Sequence, residues 1–105
     1  MAWFLLFIAG LFEVGWAIGM KYTDGFSKLV PSVITLISMA LSVYLLSLAT
    51  KEIPIGTAYA VWTGIGIAGT SIIGILLFNE STEVLKIVFI SMILIAIVGL
   101  KVISN

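Results

Sequence analysis

One carboxylate stands where an acid is costly. Glu13 lies inside an unbroken apolar stretch, eleven residues past its start near Ala2. At ~1.5 Å of rise per helical residue that is ~16 Å of depth, close to the midplane of a ~30 Å hydrocarbon core. Holding a charged group there costs at least ~2.5 kcal/mol even on the lenient insertion scale, so an intramembrane acid is a site by default. Such a group takes up a proton, pairs with a cation, or stays protonated and ties helices together through hydrogen bonds.

The residues around it have room for the first two. On a helix Ala9, Gly10, Trp16, Ala17 and Met20 share the Glu13 face. Small residues above and below, with an aromatic ring one turn along, leave space beside the carboxylate. A second apolar run carries a polar stripe, Thr35, Ser38 and Ser42, together with Met39. A third puts Tyr59, Thr63 and Gly66 on one face, with Trp62 one turn from Tyr59. Each has a plainer reading. Serine and threonine in membrane helices often bond back to their own backbone, and tyrosine and tryptophan populate interfacial belts. Tyr59 and Trp62 fall five and eight residues past Pro54, deeper than a belt normally lies. Lys101, near the end of the last run, is either an accessory to the site or a lysine snorkelling to the interface.

Gly64-Ile65-Gly66-Ile67-Ala68-Gly69 matches the G-x-G-x-x-G dinucleotide fingerprint letter for letter. That motif binds a pyrophosphate only between a strand and a helix N-terminus. Here it sits mid-way through an apolar run with no strand signal before it. Each glycine costs roughly 1 kcal/mol of helix propensity relative to alanine. Gly64 and Gly66 therefore mark close helix packing, a hinge, or both. Gly15-x-x-x-Gly19 is a second, weaker helix-contact signal.

The elements that must position these residues are set by composition. Of 105 residues 62% are hydrophobic and 10% charged, with five basic against five acidic side chains, and the mean hydropathy is +1.32. A soluble domain of ~100 residues cannot hide that much apolar surface. The apolar runs fall at about 2–20, 29–49, 54–78 and 84–103, each long enough for a membrane-spanning helix. Strand-period alternation is missing, which argues against a β-barrel. Asp24-Gly25, Pro31, Pro54, and Ser81 with Thr82 supply stop and start chemistry in the gaps. No lysine or arginine precedes the first run and Glu13 interrupts it, unlike a cleaved signal peptide. The expected fold is all-α and integral to the membrane: a single four-helix transmembrane bundle over 1–105.

Composition also removes function classes. There is no histidine and no cysteine, so neither a His- or Cys-ligated metal site nor Ser-His catalysis is open to the chain. A balanced charge without a basic run leaves no nucleic-acid interface. No enzyme and no cofactor is expected. Lys51 and Lys101 flank one side of the four spans and Lys21, Lys28 and Lys86 the other. A bias of one charge barely specifies an insertion direction. Either weak cues choose one orientation, or both are made and pair antiparallel.

Together the four spans, Gly10-x-x-Glu13-x-x-Trp16, the segment Pro54-Ile55-Gly56-Thr57-Ala58-Tyr59-Ala60-Val61-Trp62 and Gly64-x-Gly66 resemble the small multidrug resistance transporters. The resemblance covers essentially the whole chain. Trp16 beside Gly10 and Glu13, with Lys101 in the last span, looks like the guanidinium-exporter subtype. It implies an antiparallel, dual-topology homodimer in the bacterial inner (plasma) membrane that exchanges protons for guanidinium-type cations. Glu13 would be the shared proton and substrate site, lined by Gly10, Trp16, Ser42, Tyr59 and Trp62. Ser38, Met39, Thr63 and Lys101 would be accessory, and Gly64 and Gly66 the hinge. Ser91 and Met92 depart from the family's usual last-span seam, where a glycine often stands, although Gly99 remains.

Two other functions stay open on the sequence. One is export of bulkier quaternary ammonium or aromatic cations, which need a wider apolar cavity and offer no N–H donors. The other is a small non-transporting membrane subunit whose Glu13 pairs with a partner protein.

Overall fold

The computed structural model describes residues 1–104. In a bilayer the backbone has no water to bond, so each apolar run satisfies its N–H and C=O groups internally as a helix. Four helices result: α1 (Ala2–Tyr22), α2 (Leu29–Ala49), α3 (Ile55–Phe78) and α4 (Val84–Ser104). All four are long and apolar enough to cross a membrane, and no strand occurs among the described residues. The sequence-based boundaries shift slightly. α1 runs on to Tyr22, because the long Lys21 stem is tolerated in its last turn, and extended Pro54 caps α3 from outside instead of opening it. Pro31 falls in the first turn of α2, where its missing N–H has no helical partner to lose.

The turns are built locally. Thr23, almost fully buried, donates its hydroxyl to Met20 O (2.7 Å) and accepts the Phe26 N–H (3.1 Å). Those bonds hold three successive left-handed residues, Asp24, Gly25 and Phe26, of which only glycine adopts positive φ without strain. Between α3 and α4, Asn79 is also left-handed and turns the chain back, so that the Glu80 N–H reaches Gly74 O at 3.3 Å.

The helices form a slab, with extents of 42 × 35 × 17 Å, and do not close into the bundle expected from the sequence. The order across it is α2–α1–α3–α4: α1 packs on α2 and α3, while the α4 backbone approaches only α3. The core lies around α1 and α3, where Leu6, Ala9, Ala58, Val61 and Trp62 are buried. Along α4 only Ile90 is buried among the apolar side chains, leaving most of that helix as outward apolar surface.

Candidate functional site

Glu13 is positioned by the contact between α1 and α3, and glycine makes that contact possible. A Cβ at Gly10 would lie 2.6 Å from Ile65 Cγ2, and one at Gly69 would meet Val14 Cγ2 at 2.5 Å. Between those points Gly66 gives up its Cβ space to the Glu13 carboxyl group itself. The false dinucleotide fingerprint thus has a physical meaning. Gly66 and Gly69 let α1 approach α3, and Gly64 does the same for α4, where a Cβ would lie 2.8 Å from Ile97 Cδ1.

The other side of α1 is held by hydrogen bonds. Ser42 Oγ donates to Ala9 O at 2.7 Å and Ser38 Oγ to Phe12 O at 3.1 Å. Trp62 Nε1 donates to Ser42 Oγ at 2.9 Å. A buried relay therefore joins α3 through α2 to the α1 backbone one turn from Glu13. Gly15 and Gly19 face Ser38 and Thr35 of α2, which gives the Gly15-x-x-x-Gly19 signal its place.

Glu13 stands at the inner end of a cavity of about 410 Å³ between α1 and α3, open towards Lys21, Phe78 and Glu80. At ~30 Å³ per water, that volume holds a small planar cation with several waters. The Glu13 Oε1 atom is buried without a hydrogen-bond partner, and so are Trp16 Nε1, Thr63 Oγ1 and Thr70 Oγ1. Unpaired buried polar atoms are expensive, and a carboxylate most of all. Among the described residues no cation faces this one within ion-pair distance, the only such pair being Lys86–Glu80. The arrangement suits a dissociable cationic partner or a proton, and no group of metal-ligating side chains is present among the described residues.

The residues singled out in the sequence do not all meet in one place. Glu13 and Gly66 line the cavity, with Gly10 one turn along α1 beneath Ile65. Ser42, Ser38 and Trp62 form the relay behind them, and partly buried Trp16 packs against the core, so within one chain Trp16, Ser42 and Trp62 do not line the cavity as expected. Tyr59 packs against Trp62 with the rings tilted (centroids 5.6 Å apart) but is 58% exposed. With Thr63 it borders a separate space on the α3–α4 side, so within one chain neither residue lines the Glu13 cavity. Met39 is half-buried on α2. Lys101 lies over the Trp3 ring at 5.5 Å, by the first turn of α1, and does not line the cavity either. The cavity adds residues that sequence reasoning missed, chiefly Thr70, Phe78 and Glu80. Helical spacing was the available signal for one of them: Gly66, Thr70 and Gly74 follow at i, i+4 and i+8.

Four helices long enough to cross a membrane, with a half-buried carboxylate between two of them whose Oε1 is buried and unpaired, define a small multi-pass membrane protein. The comparison with known families agrees: the model described as "Small Multidrug Resistance protein" matches residues 1–95, and the chain belongs to that family. A protein named "Guanidinium exporter" from Yersinia pestis is 59% identical over 104 residues, covering 99% of this chain and 100% of the relative. The protein of that name from Proteus vulgaris is 51% identical over the same coverage. The one from Escherichia coli K12 is 54% identical over 101 residues, 96% of each chain.

Proposed function

We propose that the protein exports guanidinium and small guanidinylated cations across a bacterial inner membrane in exchange for protons. The observation that carries the reading is the half-buried Glu13 carboxylate at the inner end of the α1–α3 cavity, whose buried Oε1 lacks any partner. The names of the relatives supply the substrate class. A guanidinium is planar and presents paired N–H donors that match a carboxylate bidentately. Trp16 stands one turn from Glu13 on α1, a spacing that would offer a cation–π contribution of about 0.5–2 kcal/mol, although within one chain it packs against the core and does not line the cavity. A proton and a guanidinium neutralise the same charge, so Glu13 holds one or the other. Each leaves when the other arrives, and an inward proton gradient drives the cation out.

Alternating access comes from rocking the helices about Glu13, with α3 bending at Gly64 and Gly66. A single slab-shaped chain encloses the carboxylate on one side only, so the working unit is a homodimer. The apolar surface of α4 and the nearly balanced split of lysines between the two sides favour an antiparallel pair made from both insertion orientations. In that pair Tyr59 and Thr63 of each copy gain a route to the partner's site.

A liposome assay tests the reading. Purified protein is reconstituted, and internal pH is followed as guanidinium, tetramethylammonium and a buffer blank are added in turn. Guanidinium alone should move protons. An equal response to tetramethylammonium would favour the quaternary-ammonium exporter, and silence for every cation the partner-bound subunit.

A further inference from the structure

The cavity runs outward from Glu13, and its outer end has cation chemistry of its own. Eight residues along α3 from Gly66, ~12 Å away along the helix axis, Gly74 cedes its Cβ space to a second carboxylate, that of Glu80. Left-handed Asn79 and the Glu80 N–H bond to Gly74 O hold that side chain at the cavity mouth. Between the two acids the Thr70 hydroxyl is buried and unpartnered on the cavity wall. The Phe78 ring forms another side of the mouth.

Both mouth groups already carry cations from the chain itself. Lys86 Nζ lies 3.4 Å from Glu80 Oε1, and Lys21 Nζ sits 4.6 Å from the Phe78 ring centroid. An ion pair of that length between exposed groups is weak. A guanidinium reaching Glu80 makes two parallel N–H bonds where the ammonium makes one long contact, and it stacks on an aromatic face better than an ammonium does. The two lysines therefore act as tethered, displaceable occupants.

We infer that Glu80 and Phe78 form an outer cation-binding subsite, where guanidinium-type cations pause between the membrane surface and Glu13, in competition with Lys86 and Lys21. This rests on the exporter reading above and names a second stop on the same path. Its consequence is kinetic. A carboxylate at the mouth raises the local cation concentration and the rate of arrival, in a salt-dependent way, without altering the inner site.

The test uses reconstituted wild-type, Glu80→Gln, Lys86→Gln and Phe78→Leu proteins. Guanidinium-driven proton flux is measured against guanidinium concentration at low and high ionic strength, alongside equilibrium guanidinium binding. At low salt Glu80→Gln should raise KM about five-fold and Phe78→Leu about two-fold, while Lys86→Gln should lower it about two-fold. The Glu80→Gln effect should shrink at high salt, where charges this exposed are screened. Equilibrium affinity at the Glu13 site should change less than KM in all three, because Glu13 is untouched. Should Glu80→Gln fail to fold, the opposite shifts of Lys86→Gln and Phe78→Leu carry the test. Wild-type protein that moves no protons with guanidinium overturns the exporter reading and the subsite with it. A wild type that transports, with Lys86→Gln and the other variants matching its KM or all shifting it the same way, overturns the subsite alone.

Discussion

Helix α1 has two neighbours and meets them by different means. Against α2 the approach is sealed by hydroxyls: Ser42 and Ser38 donate to α1 carbonyls, and Trp62 completes the relay. Against α3 the approach is made by removing side chains, at Gly10, Gly66 and Gly69, and polar atoms there are left unpaired. The first seam uses two of its hydroxyls to hold the helices in register, although Gly15 and Gly19 open space there too and Thr35 Oγ1 stays unpaired. The second keeps a carboxylate and a threonine hydroxyl free beside a cavity of about 410 Å³. The difference lies in what each seam leaves beside it: serine bonds to the α1 backbone on one side, and on the other a free carboxylate oxygen facing a cavity, which is where the proposed site falls.

The contrast is broken most sharply at Gly66. Gly66→Ala should improve helix propensity by roughly 1 kcal/mol, yet its methyl takes the space of the Glu13 carboxyl group. Guanidinium affinity measured by calorimetry should fall at least about ten-fold, the 1.4 kcal/mol that a displaced charge-assisted bond readily costs, while the protein still purifies and keeps its helical circular dichroism. Ser42→Ala attacks the other seam. It strands the buried Trp62 N–H and removes the bond to Ala9 O, so thermal unfolding should show a loss of about 1–3 kcal/mol, with guanidinium affinity changed far less than by Gly66→Ala. Gly64→Ala should have the smallest effect on folding, since the new methyl meets the movable tip of Ile97. If α3 bends there, transport in liposomes should slow while equilibrium binding holds. Equal loss of both would assign Gly64 to packing against α4.

Much of this was legible in the residues. Apolar runs long enough to span a bilayer announce their helices, because a membrane leaves the backbone no other way to satisfy itself. The depth of Glu13 follows from counting. Partners across the seams were harder to read. A glycine triplet permits close approach without naming the helix that approaches, and the structure assigns Gly66 and Gly69 to α1 but Gly64 to α4. The slab shape was not legible either, since it depends on which faces of equally apolar helices meet. Glu80 escaped notice because it lies beyond the end of α3 and returns to the cavity only through the left-handed turn at Asn79. Tyr59 shared a helical face with Gly66 in sequence spacing, yet the packing of α1 against α3 leaves it outside the cavity of its own chain.

The central claim is that one carboxylate serves both proton and cation, and guanidinium binding measured across pH tests it most directly. Protonating Glu13 removes the charge that guanidinium needs, so affinity must fall as pH falls. By linkage the apparent dissociation constant should approach a ten-fold rise per pH unit on the acid limb and level off on the alkaline side. In Glu13→Gln the side chain keeps its size and one acceptor oxygen but no titrating charge, and guanidinium binding should be lost at every pH. Wild-type affinity that stays flat between about pH 5 and pH 9, a window that starts just above the ordinary carboxylate titrations, or binding that survives in Glu13→Gln, would contradict it.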